Sequence, residues 1–207
     1  TGIEALRDRA RKIKTQAIAQ LNDHLLQLES AVIEAGGKVF WARNSNDALR
    51  YVANLVKQNK ASLVVKGKTM VSEEIGLNRY LEKLGIEVLE TDLGEYIVQL
   101  AGEKPSHIIA PAIHKSKEEV AFLFQKKLGI SYEPEISNLT RAARDRLREK
   151  FFQAGIGITG ANFAIAETGT IVLLENEGNI RFTTSLPPIH IVLMGIEKVI
   201  PTLEDLV

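Results

Sequence analysis

Residues 155–170 read GIGITGANFAIAETGT, and Gly155, Gly157 and Gly160 stand at the G-x-G-x-x-G spacing of a dinucleotide-binding loop. That loop needs a strand, a glycine turn and then a helix, because the pyrophosphate rests on the helix N-terminus. Here the order is reversed. The preceding segment, RAARDRLREKFFQA at 141–154, is helical in pattern, and the residues after Gly155 are apolar and strand-like. Gly155 therefore falls where a helix C-cap glycine belongs, and Gly157 and Gly160 are expected to allow close packing or a kink. The spacing is a coincidence rather than a nicotinamide site.

Outward from this stretch, strands and helices alternate. Leu6, Ala10, Ile13, Ala17, Leu21, Leu25, Leu28 and Val32 predict one long amphipathic helix over residues 3–35, ended by Gly36-Gly37. Strands are predicted at 38–42 (KVFWA), 63–65, 86–89 and 107–110, and helices at 46–55, 72–85, 116–129 and 138–154; residues 93–102 are ambiguous. Ser116-Lys117-Glu118-Glu119 has the form of a capping box. Beyond Gly155 the strands crowd together, at 156–159, 170–174, 180–183 and 189–194, with Asn176-Glu177-Gly178-Asn179 as a hairpin turn. This pattern predicts an α/β fold: a largely parallel sheet flanked by helices, with a strand-rich C-terminal part and a long N-terminal helix. Residues 1–36 form a helical appendage in this reading, and residues 37–207 form the α/β domain.

Composition narrows the function classes. Lys+Arg and Asp+Glu both number 26, and zero net charge argues against a general nucleic-acid binder. No apolar run reaches the roughly 18–20 residues of a membrane span, and the start does not resemble a signal peptide. A cytoplasmic location is the expectation. There is no cysteine, so disulfides, thiolate metal sites and iron–sulfur ligation are excluded from this stretch. The chain starts at Thr1, and Thr202 with Glu204 and Asp205 reads as a helix start only a few residues before Val207. Both features lead us to expect a fragment of a longer protein.

Lys66-Gly67-Lys68-Thr69 ends like the phosphate loop G-x-x-x-x-G-K-[ST], but Ser62 stands at the first glycine and the residues between read as strand. Lys66 and Lys68 still sit at the carboxyl end of a strand, the edge where open α/β sheets gather ligands. They are either an anion site or solvated surface lysines. Glu167-Thr168-Gly169-Thr170 lies between two apolar runs. Glu167 is a candidate general base, nucleophile or ligand anchor, with Thr168, Gly169 and Thr170 as ligand contacts. The alternative is a strand-connecting turn whose acid caps backbone amides.

Asn162, Asn176 and Arg181 are further candidates, Arg181 for a carboxylate or phosphate; Thr183 and Thr184 stand beside it. Asp92 and Glu95 follow a strand end and either bind a cation or hydroxyls or cap the next turn. His107, His114 and His190 lack metal-ligand spacing. His114-Lys115 precedes a helix N-terminus, a place to meet an anion. The basic run at 141–150 is interleaved with acids and reads as a solvated helix face.

Three long stretches carry a resemblance: KTMVSEEIGLNRYLEKLGIEVLETDLGEYIVQLAGEKPSHIIAPAIHK at 68–115, ITGANFAIAETGTIVLLENEGN at 158–179 and LPPIHIVLMGIEKVIPTLEDL at 186–206. They resemble the lactate-utilisation (LUD) domain, most closely the N-terminal domain of the larger iron–sulfur subunit of the bacterial three-protein lactate-utilisation complex. The resemblance implies a fold similar to the sugar-phosphate isomerase and CoA-transferase superfamily. It also implies a role in oxidising L-lactate to pyruvate, with sister subunits as partners and a small organic acid or other anion as ligand. Two 4Fe–4S clusters are implied in a cysteine-rich region that follows this domain. The motif positions that resemble the family are Asn162–Thr170 and Asn176-Glu177-Gly178. The competing reading is a self-contained CoA-transferase-like or isomerase-like enzyme using Glu167, similar in type to the glutamate nucleophile of CoA transferases.

Overall fold

The computed structural model describes residues 2–107 and 109–206. The chain begins with α1 (Gly2–Ala19), α2 (Leu21–Glu34) and α3 (Ser45–Gln58), followed by β1 (Leu63–Lys66), α4 (Met70–Glu74), α5 (Leu77–Glu82) and β2 (Glu87–Glu90). Next come α6 (Leu93–Ala101), α7 (Lys117–Leu128), α8 (Ile136–Gln153) and β3 (Ile156–Thr159). The last part holds β4 (Phe163–Ile165), β5 (Thr170–Val172), α9 (Asn179–Ser185), β6 (Ile189–Val192) and β7 (Val199–Ile200). By contacts the chain divides into two units. One comprises residues 1–48, 160–174 and 193–207, the other residues 49–159 and 175–192.

The larger unit is built on a four-stranded parallel sheet in the order β2-β1-β3-β6. The chain enters at β1, moves outward to β2, then returns past β1 to add β3 and β6. The carboxyl ends of β1 and β3 are thus the topological switch point, where open α/β sheets form ligand crevices. Leu63 and Val65 of β1 pack into a core with Tyr96, Ile97, Val120, Phe124, Leu139, Leu147 and Phe151 of α6, α7 and α8. Val64 and Lys66 alternate to the opposite face, where α4 and α5 supply partners. The predicted capping box is present: Ser116 Oγ accepts from Glu119 N, and Glu119 Oε2 accepts from Ser116 N.

The smaller unit has a three-stranded sheet, β5-β4-β7, with β4 and β5 an antiparallel hairpin and β7 parallel to β4. Ala164, Ala166 and Val199 pack with Leu28 of α2, joined by Leu21, Leu25 and Val32.

The α/β class and the parallel sheet are as expected, but several elements differ. The long N-terminal helix is present as α1 and α2, with a break at Gln20, whose backbone leaves helical geometry (φ −114°, ψ 26°) while i→i−4 hydrogen bonds continue on either side. The apolar spacing runs on through the break, so no residue type marks it. Residues 38–42 are irregular rather than a strand, with Phe40 and Trp41 exposed. The helix predicted over 72–85 is split by Gly76, which adopts φ +69°. The ambiguous stretch 93–102 forms α6 (Leu93–Ala101), capped by Asp92 at its start and by Gly102 at its end. In the expected strand at 107–110, residues 107, 109 and 110 are irregular and residue 108 lies outside the described residues.

Two further corrections concern Gly155 and the residues after β5. Gly155 is not a left-handed cap: α8 ends on Ala154 in extended geometry, and Gly155 N donates to Leu63 O. A Cβ at Gly155 would stand 2.7 Å from Ala61 Cβ, and one at Gly157 1.9 Å from Thr183 O. These glycines let β3 lie close to its neighbours. Residues 180–183 are helical, part of α9, so Asn176–Asn179 is a helix entry and not a hairpin turn. Gly178 takes φ +77° at the N-cap, and Glu175 accepts from Arg181 N at 2.9 Å, supplying a cap from outside the helix. The hairpin lies instead between β4 and β5.

Candidate functional site

β1 and β2 are apolar strands that each end in a charged residue, LVVK and EVLE. Parallel pairing sets Lys66 opposite Glu90. Lys66 is fully buried, and its Nζ lies 2.9 Å from Glu90 Oε1, 3.0 Å from Ser72 Oγ and 3.4 Å from Glu73 Oε1. Ser72 and Glu73 come from α4, and Ser72 Oγ in turn donates to Thr69 O. From α5, Asn78 Nδ2 donates to Glu90 Oε1 at 2.6 Å. Gln99 of α6 fixes the backbone beneath, accepting from Glu90 N and donating to Val88 O.

Burial pushes the Glu90 carboxyl above its ordinary value, against the pull of Lys66 and Asn78. Glu95, on the first turn of α6, is also raised, first by burial and then by the charge of Glu90, with Lys68 opposing. Lys68 Nζ lies 3.5 Å from Glu95 Oε1, and its side chain keeps 24% of its exposure. Lys68 therefore meets solvent while Lys66 does not.

The other half of the edge is formed by β3, β6 and α9. Thr159, buried at the end of β3, shares a 2.8 Å hydrogen bond with His190 Nε2. Burial pulls the His190 pKa below its ordinary value, favouring the neutral ring. Thr91, following β2, donates to Lys66 O and lies 3.3 Å from Thr183 Oγ1; Asn179 Nδ2 donates to it as well. α9 closes over the switch point. A Cβ on Gly67 would meet Ile180 Cδ1 at 2.4 Å. Glu177 accepts from Leu93 N, and burial raises its pKa.

The predicted residues divide between the units. Lys66, Lys68, Asp92 and Glu95 gather at the carboxyl edge of the parallel sheet, with Asp92 capping α6 by accepting from Glu95 N. Asn176 and Arg181 belong to the same unit; Arg181 is exposed and pairs with Glu175 at 3.2 Å. Asn162, Glu167, Thr168, Gly169 and Thr170 belong to the β4–β5 hairpin of the smaller unit. Glu167 is exposed, with its backbone N donating to Pro201 O. Thr168 Oγ1 donates to Thr170 Oγ1, and Asn162 Oδ1 accepts from Leu174 N. Gly169 turns at φ +70°, and a Cβ there would strike the α2 backbone at Val32 N, 2.8 Å away. The polar groups of this hairpin therefore hold its own turn together.

His107 and His114 have local partners: His107 Nδ1 accepts from Ile109 N and Ala110 N, and His114 lies between Ser106 and Glu103. Among the described residues no group of three or more His, Asp or Glu is placed to hold a metal ion. A cavity of about 460 Å³ lies elsewhere, between the end of α7 and α8, lined by Ile130, Arg141, Arg146 and Glu149 among others.

Sequence reasoning missed Glu90, Glu73, Ser72, Asn78 and Thr159. One signal was available: two adjacent apolar strands ending in opposite charges.

The family model of the LUD domain matches residues 25–207. Over 202 residues the chain is 45% identical to the "Uncharacterized electron transport protein YkgF" of Escherichia coli (strain K12), covering 98% of this chain and 42% of that protein. It is 43% identical over 203 residues to "Lactate utilization protein B 2" of Bacillus mycoides (strain KBAB4) and to "Lactate utilization protein B" of Bacillus cereus (strain B4264), covering 98% of this chain and 43% of each. The chain thus spans less than half the length of the curated relatives it matches. No solved structure matches it. A match over nearly the whole chain, on a fold whose polar strand ends fall within the matched residues, leads to one conclusion: this chain belongs to the LUD domain family.

Proposed function

We propose that this chain is the LUD part of a longer subunit in an assembly that oxidises L-lactate to pyruvate. In this reading it binds a small organic acid or a sister subunit, and electrons pass through two 4Fe–4S clusters outside this chain. The observation that carries it is the 43% identity, over 98% of the chain, to proteins named lactate utilization protein B. The electron-transport name of the Escherichia coli relative points the same way. The clusters do not fit here, because their ligation needs thiolates and the sequence has no cysteine.

In this reading the 2-hydroxy acid binds at the carboxyl edge of the parallel sheet. Lys68 is the lysine of the edge that solvent reaches, suited to a carboxylate, and Glu95 beside it is a carboxyl whose raised pKa suits proton exchange with a hydroxyl. The test compares the full-length protein, assembled with its sister subunits, against this chain alone. The full assembly is expected to reduce an added electron acceptor in the presence of L-lactate, while this chain shows no turnover. An inactive assembly overturns the lactate reading, and turnover by this chain alone overturns the division of labour.

A further inference from the structure

Glu90 is 3% exposed, and both partners of its carboxyl reach the same oxygen: Oε1 receives Asn78 Nδ2 and Lys66 Nζ. Its Oε2 is buried without a hydrogen-bond partner, and so is the other end of the same amide, Asn78 Oδ1. A carboxylate oxygen and an amide oxygen are both acceptors, so neither satisfies the other. Buried polar atoms are almost always paired, and two orphans on two groups already joined by a hydrogen bond ask for a common cause. One proton supplies it. A carboxylic acid and a primary amide close a two-bond ring, amide N–H to acid carbonyl and acid O–H to amide carbonyl, and the first of these bonds is in place at 2.6 Å.

We propose that Glu90 and Asn78 form a neutral acid–amide pair, one proton held on Glu90 Oε2 and donated to Asn78 Oδ1, as a buried proton site that exchanges with solvent by way of Lys66 and Glu73.

The surroundings agree. Glu90 is faced by Lys66 from β1, Glu73 from α4, Asn78 from α5, and Glu95 of α6 with its partner Lys68. With Glu90 neutral, Lys66 keeps Glu73 as its counter-charge at 3.4 Å, and Glu73, 40% exposed, opens the pair to water. With Glu90 ionised, three carboxylates would crowd one edge around two lysines, and Oε2 would stay bare. Release breaks the Glu90 O–H bond and forms one on Glu73, Lys66 giving a proton to Glu73 as it takes the one from Glu90; the Glu90 carboxylate is then balanced by Lys66, Glu73 passes the proton to water, and uptake reverses the steps. A carboxyl kept neutral near pH 7 is a proton donor in waiting. This site depends on the geometry of the edge and not on lactate as substrate.

Infrared difference spectra of the full-length protein at pH 7, wild type minus Glu90→Gln, test the proposal. Glutamine preserves the ring, its amide N–H replacing the acid O–H. The expected result is a protonated-carboxyl carbonyl band that shifts in heavy water and is absent from the variant; a difference spectrum holding carboxylate bands alone overturns the proposal. Should Glu90→Gln fail to fold, carboxyl-13C-glutamate NMR of the wild type decides. At least one glutamate resonance is expected to keep its neutral-acid position through pH 7 and to move in Asn78→Ser. A spectrum with every glutamate ionised at pH 7 overturns it equally.

Discussion

Lys66 and Glu90 end neighbouring parallel strands at the same register, and their side chains meet at 2.9 Å inside the protein. Charged side chains are rarely buried to this degree unless paired. A hydrophobic pair of similar volume often serves stability as well or better, so stability alone does not explain Lys66 and Glu90. Both stand at the carboxyl edge of a parallel sheet, next to the switch point, where open α/β sheets gather ligands.

Removing Lys66 strips partners from Glu90, Ser72 and Glu73 at once. Lys66→Met is expected to destabilise the protein by about 2–4 kcal/mol, the range for leaving buried acceptors unpaired. Adding Glu90→Gln should recover part of that loss, because glutamine keeps the bond to Asn78 and carries no charge for the missing lysine to balance. Urea unfolding of the two single variants and the double variant measures the coupling. Strictly additive losses would show that the two residues do not act as a unit.

The raised Glu90 carboxyl carries a sign. The folded chain binds this proton more tightly than the unfolded chain, so its contribution to stability is complete below the ordinary glutamate value of 4.5. That contribution is lost as the pH rises through the folded value. Glu90→Gln should flatten the decline on the alkaline side. Glu95, shifted in the same direction, leaves a residual slope. Urea midpoints from pH 4 to pH 8 for wild type and variant provide the check, and identical slopes would remove Glu90 as the cause.

His190 has the opposite dependence. Burial lowers its pKa below 6.5, so its contribution is complete above that value and is lost as the pH falls through the folded value. His190→Gln keeps a hydrogen-bonding group for Thr159 Oγ1 and cannot titrate. The variant should lose less stability than wild type between about pH 6.5 and pH 5, read by thermal unfolding across that interval.

Much of the fold was legible because it is written locally. The alternation of LVVK and EVLE with helices located β1 and β2, and the Ser116–Glu119 spacing located the start of α7 with its capping box. Lys66, Lys68, Asp92 and Glu95 were each visible as polar residues at strand ends. Their partnership was not, because Glu90 is 24 positions from Lys66 and only the β1–β2 register brings them together. α9 was misread for a related reason. Ile180, Phe182, Thr183 and Thr184 have strand preferences, and the helix is decided by Gly178, the Glu175 cap and the seat that Gly157 leaves. Those are tertiary facts, and propensity yields to them.

That seat gives the sharpest structural prediction. A Cβ on Gly157 would lie 1.9 Å from Thr183 O, a backbone atom of α9, and 3.2 Å from Pro187 Cγ. Neither side can yield easily, since β3 is paired on both edges and Thr183 is hydrogen-bonded to Asn179 and packed beside Thr91. Gly157→Ala should therefore cost more than about 3 kcal/mol or abolish soluble folding, as overpacking against fixed backbone does. Gly85→Ala is the control: φ there is +78° but the space is open, so the cost should be only about 1 kcal/mol of backbone strain. Chemical denaturation of both variants ranks them. Equal losses would mean that α9 does not rest on β3, and the closed switch point would have to be redrawn.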